Sequence, residues 1–93
     1  MPEGARLSAV VRITNKRGLH ARASAKLVEA AARFQAHVTV SKDGQTVDAR
    51  SIMGLMLLAA SLGSTVEIRA DGEDAQAALT AILALVEAKF GEE

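Results

Sequence analysis

Asn15-Lys16-Arg17-Gly18-Leu19-His20-Ala21-Arg22, continued by Ala23-Ser24-Ala25-Lys26-Leu27, is the stretch on which the reading of the chain turns. Before it, Leu7 to Thr14 alternates: Leu7, Ala9, Val11 and Ile13 share one face, with Ser8, Arg12 and Thr14 on the other. That is the period of a half-buried strand. Asn15 to Gly18 supplies turn residues. From Ala21 the apolar positions Leu27, Val28, Ala31 and Phe34 recur at helical spacing, with Lys26, Glu29 and Arg33 on the outer face. The alanines allow this helix to lie close to its neighbours, and Phe34 reads as core.

His20 therefore falls at a strand-to-helix corner, where a side chain can be exposed and yet held. A helix beginning near Ala21 presents unpaired backbone N–H groups and the positive end of its dipole, a setting that suits an anion beside a neutral imidazole. Arg22 adds a permanent cation with a forked donor array. Together these residues suit the carriage of a phosphoryl group. Residue chemistry alone leaves open that His20 is a solvated loop side chain. His37 has no glycine turn before it and no arginine two residues on, and reads as an ordinary strand residue.

Outward from the corner, Val38 and Val40 alternate with Thr39 and Ser41, Lys42-Asp43-Gly44-Gln45 makes a tight turn, and Thr46-Val47-Asp48 resumes the pattern. Asp-Gly is a strong hairpin signal. Ser51 stands as candidate N-cap before Ile52 to Ala60, a run apolar nearly all round. Leu55, Leu58 and Ala59 are expected to face inward, leaving Ile52, Met53 and Met56 as a candidate partner-binding patch. Burial of all three remains the competing reading. Gly63 reads as the helix stop, Thr65 to Ala70 as a strand with Val66 and Ile68 inward, and Asp71 to Asp74 as a turn and acidic helix entry that compensates the dipole. The last helix is expected over Ala75 to Lys89, with Ala75, Ala78, Leu79, Ile82, Val86 and Phe90 as its stripe. The order strand, helix, strand, strand, helix, strand, helix implies an α+β fold. The expected form is an open-faced two-layer β-sandwich, with a four-stranded antiparallel sheet covered on one face by three helices (βαββαβα). Periodicity leaves the strand order open.

Ninety-three residues suffice for one domain, residues 1–93, and not for separate substrate and cofactor domains. Eleven basic and eleven acidic residues cancel, and only two residues are aromatic, which argues against nucleic-acid binding. With no cysteine and no apolar segment of signal or membrane-span length, a cytoplasmic protein without direct membrane insertion is expected. No His or Cys pair has ligand spacing, the Asp-Gly segments lack a calcium-loop pattern, and there is no glycine-rich nucleotide loop, so neither metal nor cofactor is expected.

Gly18-Leu19-His20-Ala21-Arg22 resembles the active-site motif of the HPr family, the histidine-containing phosphocarriers of the bacterial phosphoenolpyruvate-dependent phosphotransferase system. Ala49-Arg50-Ser51-Ile52-Met53-Gly54-Leu55-Met56 resembles that family's regulatory serine segment, and the resemblance covers essentially the whole chain. It implies the same open-faced sandwich. It also implies a phosphoryl group carried on the δ nitrogen of His20, received from phosphorylated Enzyme I and passed to Enzyme II A domains in sugar uptake, with Arg22 neutralising charge. Ser51 would be the target of an HPr kinase/phosphorylase. The protein would then be a carrier without turnover of its own, expected as a monomer. The alternatives are a nitrogen-related regulatory phosphocarrier of the same family and an inert protein-binding module of this fold. One departure stands out: Ala23-Ser24 follows the motif arginine where the family commonly has Pro-Ala. The loss of a preset φ is expected to loosen the corner.

Overall fold

The computed structural model describes residues 5–92. Met1 to Gly4, over which no signal segment is read, lie outside the described residues, as does Glu93. The strands are β1 (Ala5–Arg12), β2 (His37–Lys42), β3 (Gln45–Asp48) and β4 (Thr65–Gly72), and the helices are α1 (Ala21–Ala32), α2 (Ile52–Leu57) and α3 (Ala75–Glu87). All neighbouring strands are antiparallel, in the order β1-β4-β2-β3. β4 runs between the first strand and the hairpin. Val38, Val40, Val66, Ile68 and Ala70 point from the two central strands into the core, where they meet Leu27, Leu55, Leu79, Ile82 and Val86 from the helices. α3 lies across β1 and β4, and α1 packs on α2 and α3. The opposite face of the sheet is open, which is the expected two-layer sandwich.

The Asp-Gly hairpin forms as read: Asp43 at φ 51° and Gly44 at φ 81° make the turn between β2 and β3. Three expectations need correction. α2 ends at Leu57 rather than Ala60, and Ala59 is exposed at φ 53° while Ala60 is buried. The chain leaves the helix through the left-handed Ala59, and beyond it the Ala60 carbonyl accepts a hydrogen bond from the Leu19 amide at 2.8 Å. Gly63 is consequently not the helix stop; its amide bonds the Ile13 carbonyl. α3 stops at Glu87, two residues short of Lys89, and a 3₁₀ turn over Lys89–Gly91 follows.

In that turn Lys89, Phe90 and Gly91 all have φ between 57° and 74°. Each non-glycine residue in the left-handed region costs about 1–2 kcal/mol. Phe90 is fully buried, and burial of such a ring returns about 1.5–3 kcal/mol. The reversal persists because it drops this ring into the core, and it also turns the end of the chain back toward α1. The acidic entry to α3 likewise does more than compensate a dipole. Asp74 makes no side-chain cap bond to its own helix; its carboxylate accepts from the Gln35 and Ala36 amides at 2.9 and 2.8 Å, fastening the α1–β2 connection.

Candidate functional site

The loop from Asn15 to His20 is shaped by contacts a sequence pattern does not carry. Gly18 has φ 63°, and a Cβ there would lie 2.3 Å from the Ala60 carbonyl oxygen, so only glycine fits. The Asn15 side chain is wholly buried, and its Nδ2 donates to the Gly18 carbonyl at 2.8 Å. Among the described residues its Oδ1 has no hydrogen-bond partner, a cost of about 1–3 kcal/mol that the loop sustains. A flipped amide would set oxygen against oxygen, so the orientation with Nδ2 as donor is required.

His20 is the N-cap of α1, in extended backbone conformation. Its Nδ1 accepts from the Arg22 amide at 3.3 Å, and its Nε2 lies 2.7 Å from Glu92 Oε2. A carboxylate can only accept, so Nε2 carries the proton and Nδ1 keeps its lone pair. The same carboxylate takes a second bond through Oε1, from Asn15 Nδ2 at 3.1 Å. Burial alone would raise the Glu92 carboxyl. The hydrogen bonds from His20 and Asn15, with positive charge nearby, outweigh it and hold the group below its ordinary value of 4.5. Glu92 reaches this position because Phe90 is seated in the core and Lys26 Nζ donates to the Phe90 carbonyl at 2.6 Å.

Beside the pair is a shallow cleft of roughly 270 Å³ lined by Lys16, Arg17, Arg22 and Glu92. Three cations against one carboxylate suit the charge of a phosphoryl group. Arg22 is thus brought to the corner as read. Ala23-Ser24 does more than replace the missing proline. The buried Ser24 adds a side-chain tie, its Oγ donating to the Leu19 carbonyl at 3.1 Å, which holds the first turn of α1 against the loop.

His37 begins β2, is mostly exposed, and lies 3.3 Å from Asp48. Ser51 caps α2 as read, its Oγ accepting from the Gly54 amide at 2.9 Å. Ile52, Met53 and Met56 are 40%, 71% and 43% exposed, so the reading that buries them falls away. The sequence reading missed Leu57, exposed at 67% on the same short helix. It also missed Asn15 and Glu92. Gly91 was the signal for a reversal in the tail, but the pairing of Glu92 with residues more than seventy positions away leaves no local trace. Among the described residues no helix is long and apolar enough to cross a membrane.

A family model described as the HPr component phosphorylation site of the phosphotransferase system matches residues 7–88. The chain is 56% identical over 80 residues to the phosphocarrier protein HPr of Cupriavidus necator, covering 86% of this chain and 90% of that one. It is 45% identical over 87 residues to the phosphocarrier protein NPr of Shewanella violacea, covering 94% and 96%. Among solved structures, an HPr from Thermoanaerobacter tengcongensis superposes with a TM-score of 0.90 at 44% identity, over 94% of this chain and 98% of that one. With a match running from the first strand to the end of the last helix, the chain belongs to the HPr family of phosphocarrier proteins of the phosphotransferase system.

Proposed function

We propose that His20 is the residue that accepts and hands on the phosphoryl group, through Nδ1. The observation that carries this reading is the assignment of the two ring nitrogens: Nε2 donates to a carboxylate, and Nδ1 faces an N–H and keeps its lone pair. In the forward step that lone pair forms a bond to phosphorus while the bond from phosphorus to the donor atom breaks, its electron pair leaving with the donor. The Arg22 amide, released from Nδ1, and the cleft cations then face the phosphoryl oxygens. In this reading the donor is phosphorylated Enzyme I and the acceptor an Enzyme II A domain, and the carrier is a cytoplasmic monomer that each partner's active site completes.

The sugar-uptake branch is preferred because the identity to the Cupriavidus HPr exceeds that to the Shewanella NPr. The exposed Ile52, Met53 and Met56 serve as the docking patch. Ser51 at its edge is the site where an HPr kinase/phosphorylase would place a regulatory phosphate. Incubation with Enzyme I and labelled phosphoenolpyruvate tests the reading: the parent takes label, His37→Ala takes it equally, and His20→Ala takes none. Label retained in His20→Ala, or no label in the parent, contradicts it.

A further inference from the structure

We infer that Glu92, aimed by Asn15, is a positioning residue for the reaction at His20: it fixes the ring tautomer and balances the charge that transfer creates. The inference rests on the reading of His20 as the phosphoryl carrier. Both carboxylate oxygens are engaged, Oε1 by Asn15 Nδ2 at 3.1 Å and Oε2 by His20 Nε2 at 2.7 Å, so the group cannot rotate away without losing both bonds. Its seat is built from distant parts of the chain. Asn15 is wholly buried at the turn after β1, Phe90 is wholly buried beyond α3, and Lys26 of α1 holds the Phe90 carbonyl. The buried Asn15 oxygen left without a partner is accounted for by this role, since only that amide orientation presents a donor to Glu92.

The consequence follows from the electron count. When the Nδ1 lone pair bonds to phosphorus and the proton stays on Nε2, the ring acquires a positive charge, 2.7 Å from the carboxylate that faces it. In onward transfer the N–P bond breaks, its electron pair returns to Nδ1, and a neutral ring with its Nε2 proton is restored. No proton is lost to solvent in either direction, so one carboxylate serves acceptance and donation alike, as a reversible carrier requires. Without Glu92 the Nε2 proton loses its acceptor, and only the 3.3 Å bond from the Arg22 amide opposes a proton on Nδ1, where it would block attack.

The test uses the full chain with isotope-labelled histidine nitrogens, as parent, Glu92→Ala, Glu92→Gln and Glu92→Asp. Long-range proton–nitrogen spectra taken without any donor report the His20 tautomer. Phosphorylation by Enzyme I and phosphoenolpyruvate reports rate, and thermal melts report stability. The parent should hold the Nε2 proton, and Glu92→Ala should admit the Nδ1-protonated form and accept phosphate about tenfold more slowly. Glu92→Gln has one acceptor oxygen for the two donors of Asn15 and His20 and carries no charge, so it should accept phosphate more slowly than the parent whichever donor its oxygen faces. Glu92→Asp should recover part of the rate, and none of these effects should track the melting temperature. Glu92→Ala with the parent tautomer overturns the inference, as does transfer at the parent rate. If the parent itself accepts no phosphate, the carrier reading fails instead, and the donor-free spectra still decide whether Glu92 sets the tautomer.

Discussion

The amide of Leu19 donates to the carbonyl of Ala60 at 2.8 Å, tying the loop that carries His20 to the turn that leaves α2. Gly18 is pressed against the same carbonyl. The helix bearing Ile52, Met53 and Met56 is therefore fastened to the His20 loop through backbone atoms, with no flexible side chain between them. In the proposed docking, a partner on the apolar helix would meet the imidazole at a fixed offset, with little conformational freedom left to lose.

Gly18→Ala breaks this tie. A Cβ 2.3 Å from the Ala60 oxygen cannot be accommodated without backbone movement, and the left-handed conformation costs a further 1–2 kcal/mol or so. Thermal melts should fall by several degrees and phosphoryl acceptance should fall with them. A variant that melts with the parent would mean that the loop and the α2 turn are not rigidly coupled.

Arg22 separates charge from geometry. Arg22→Lys keeps a cation at the cleft but loses the planar fork that can grip two phosphoryl oxygens. Loss of a charge-assisted bond of about 1.5–3 kcal/mol slows transfer on the order of tenfold or more, and Arg22→Ala should be slower still. Rapid-quench measurement of transfer from Enzyme I checks this, and equal rates in all three proteins would remove the guanidinium from the mechanism.

What could be read from the sequence was whatever has a local period or a local chemistry. The alternation of Leu7 to Ile13, the Asp43-Gly44 turn and the cap at Ser51 each depend on neighbours within a few positions, and each forms. The strand order, the Glu92–His20 pair and the Asp74 strap depend on partners 26 to 72 residues away, and no window of sequence holds both halves. α2 shows the intermediate case. Its apolar run predicts helix through Ala60, but the chain turns at the left-handed Ala59 and the Ala60 carbonyl beyond it is bonded to the distant Leu19 amide. His20 and Arg22 were legible as a pair because they are two residues apart. Asn15 was legible only as a turn residue, since its amide's target lies in the tail.

Ser51 carries both a cap and, in the proposed regulation, a phosphate. Ser51→Ala loses the bond to the Gly54 amide, a cost near 1 kcal/mol, or about 4–8 °C in a domain of this size. Ser51→Asp keeps a capping acceptor and should melt close to the parent, but its charge stands at the edge of the apolar patch proposed to dock a partner. The carrier concentration for half-maximal transfer from Enzyme I should rise for Ser51→Asp and not for Ser51→Ala. The opposite ranking, or an unfolded Ser51→Asp, would reduce Ser51 to a cap.

Asp74 gives a pH signature of stability. The Gln35 amide first, and the Ala36 amide with it, hold the Asp74 carboxyl below its ordinary 3.8 against the opposing effect of burial. A carboxyl lowered in the folded state contributes stability that is fully present above 3.8 and drains away as pH falls through its lowered value. Asp74→Asn should therefore melt below the parent at neutral pH, and the gap should close in acid well below 3.8. A gap that is the same at both pH values would show that the charge adds nothing to the strap.

The central claim is that the phosphoryl group resides on Nδ1 of His20, and the most direct measurement is the one-bond coupling between phosphorus and nitrogen in the phosphorylated, isotope-labelled chain. The account predicts a single phosphorus resonance coupled to Nδ1 of His20, with Nε2 still protonated and His37 unchanged. Coupling to Nε2, or phosphorus on any residue other than His20, would contradict it.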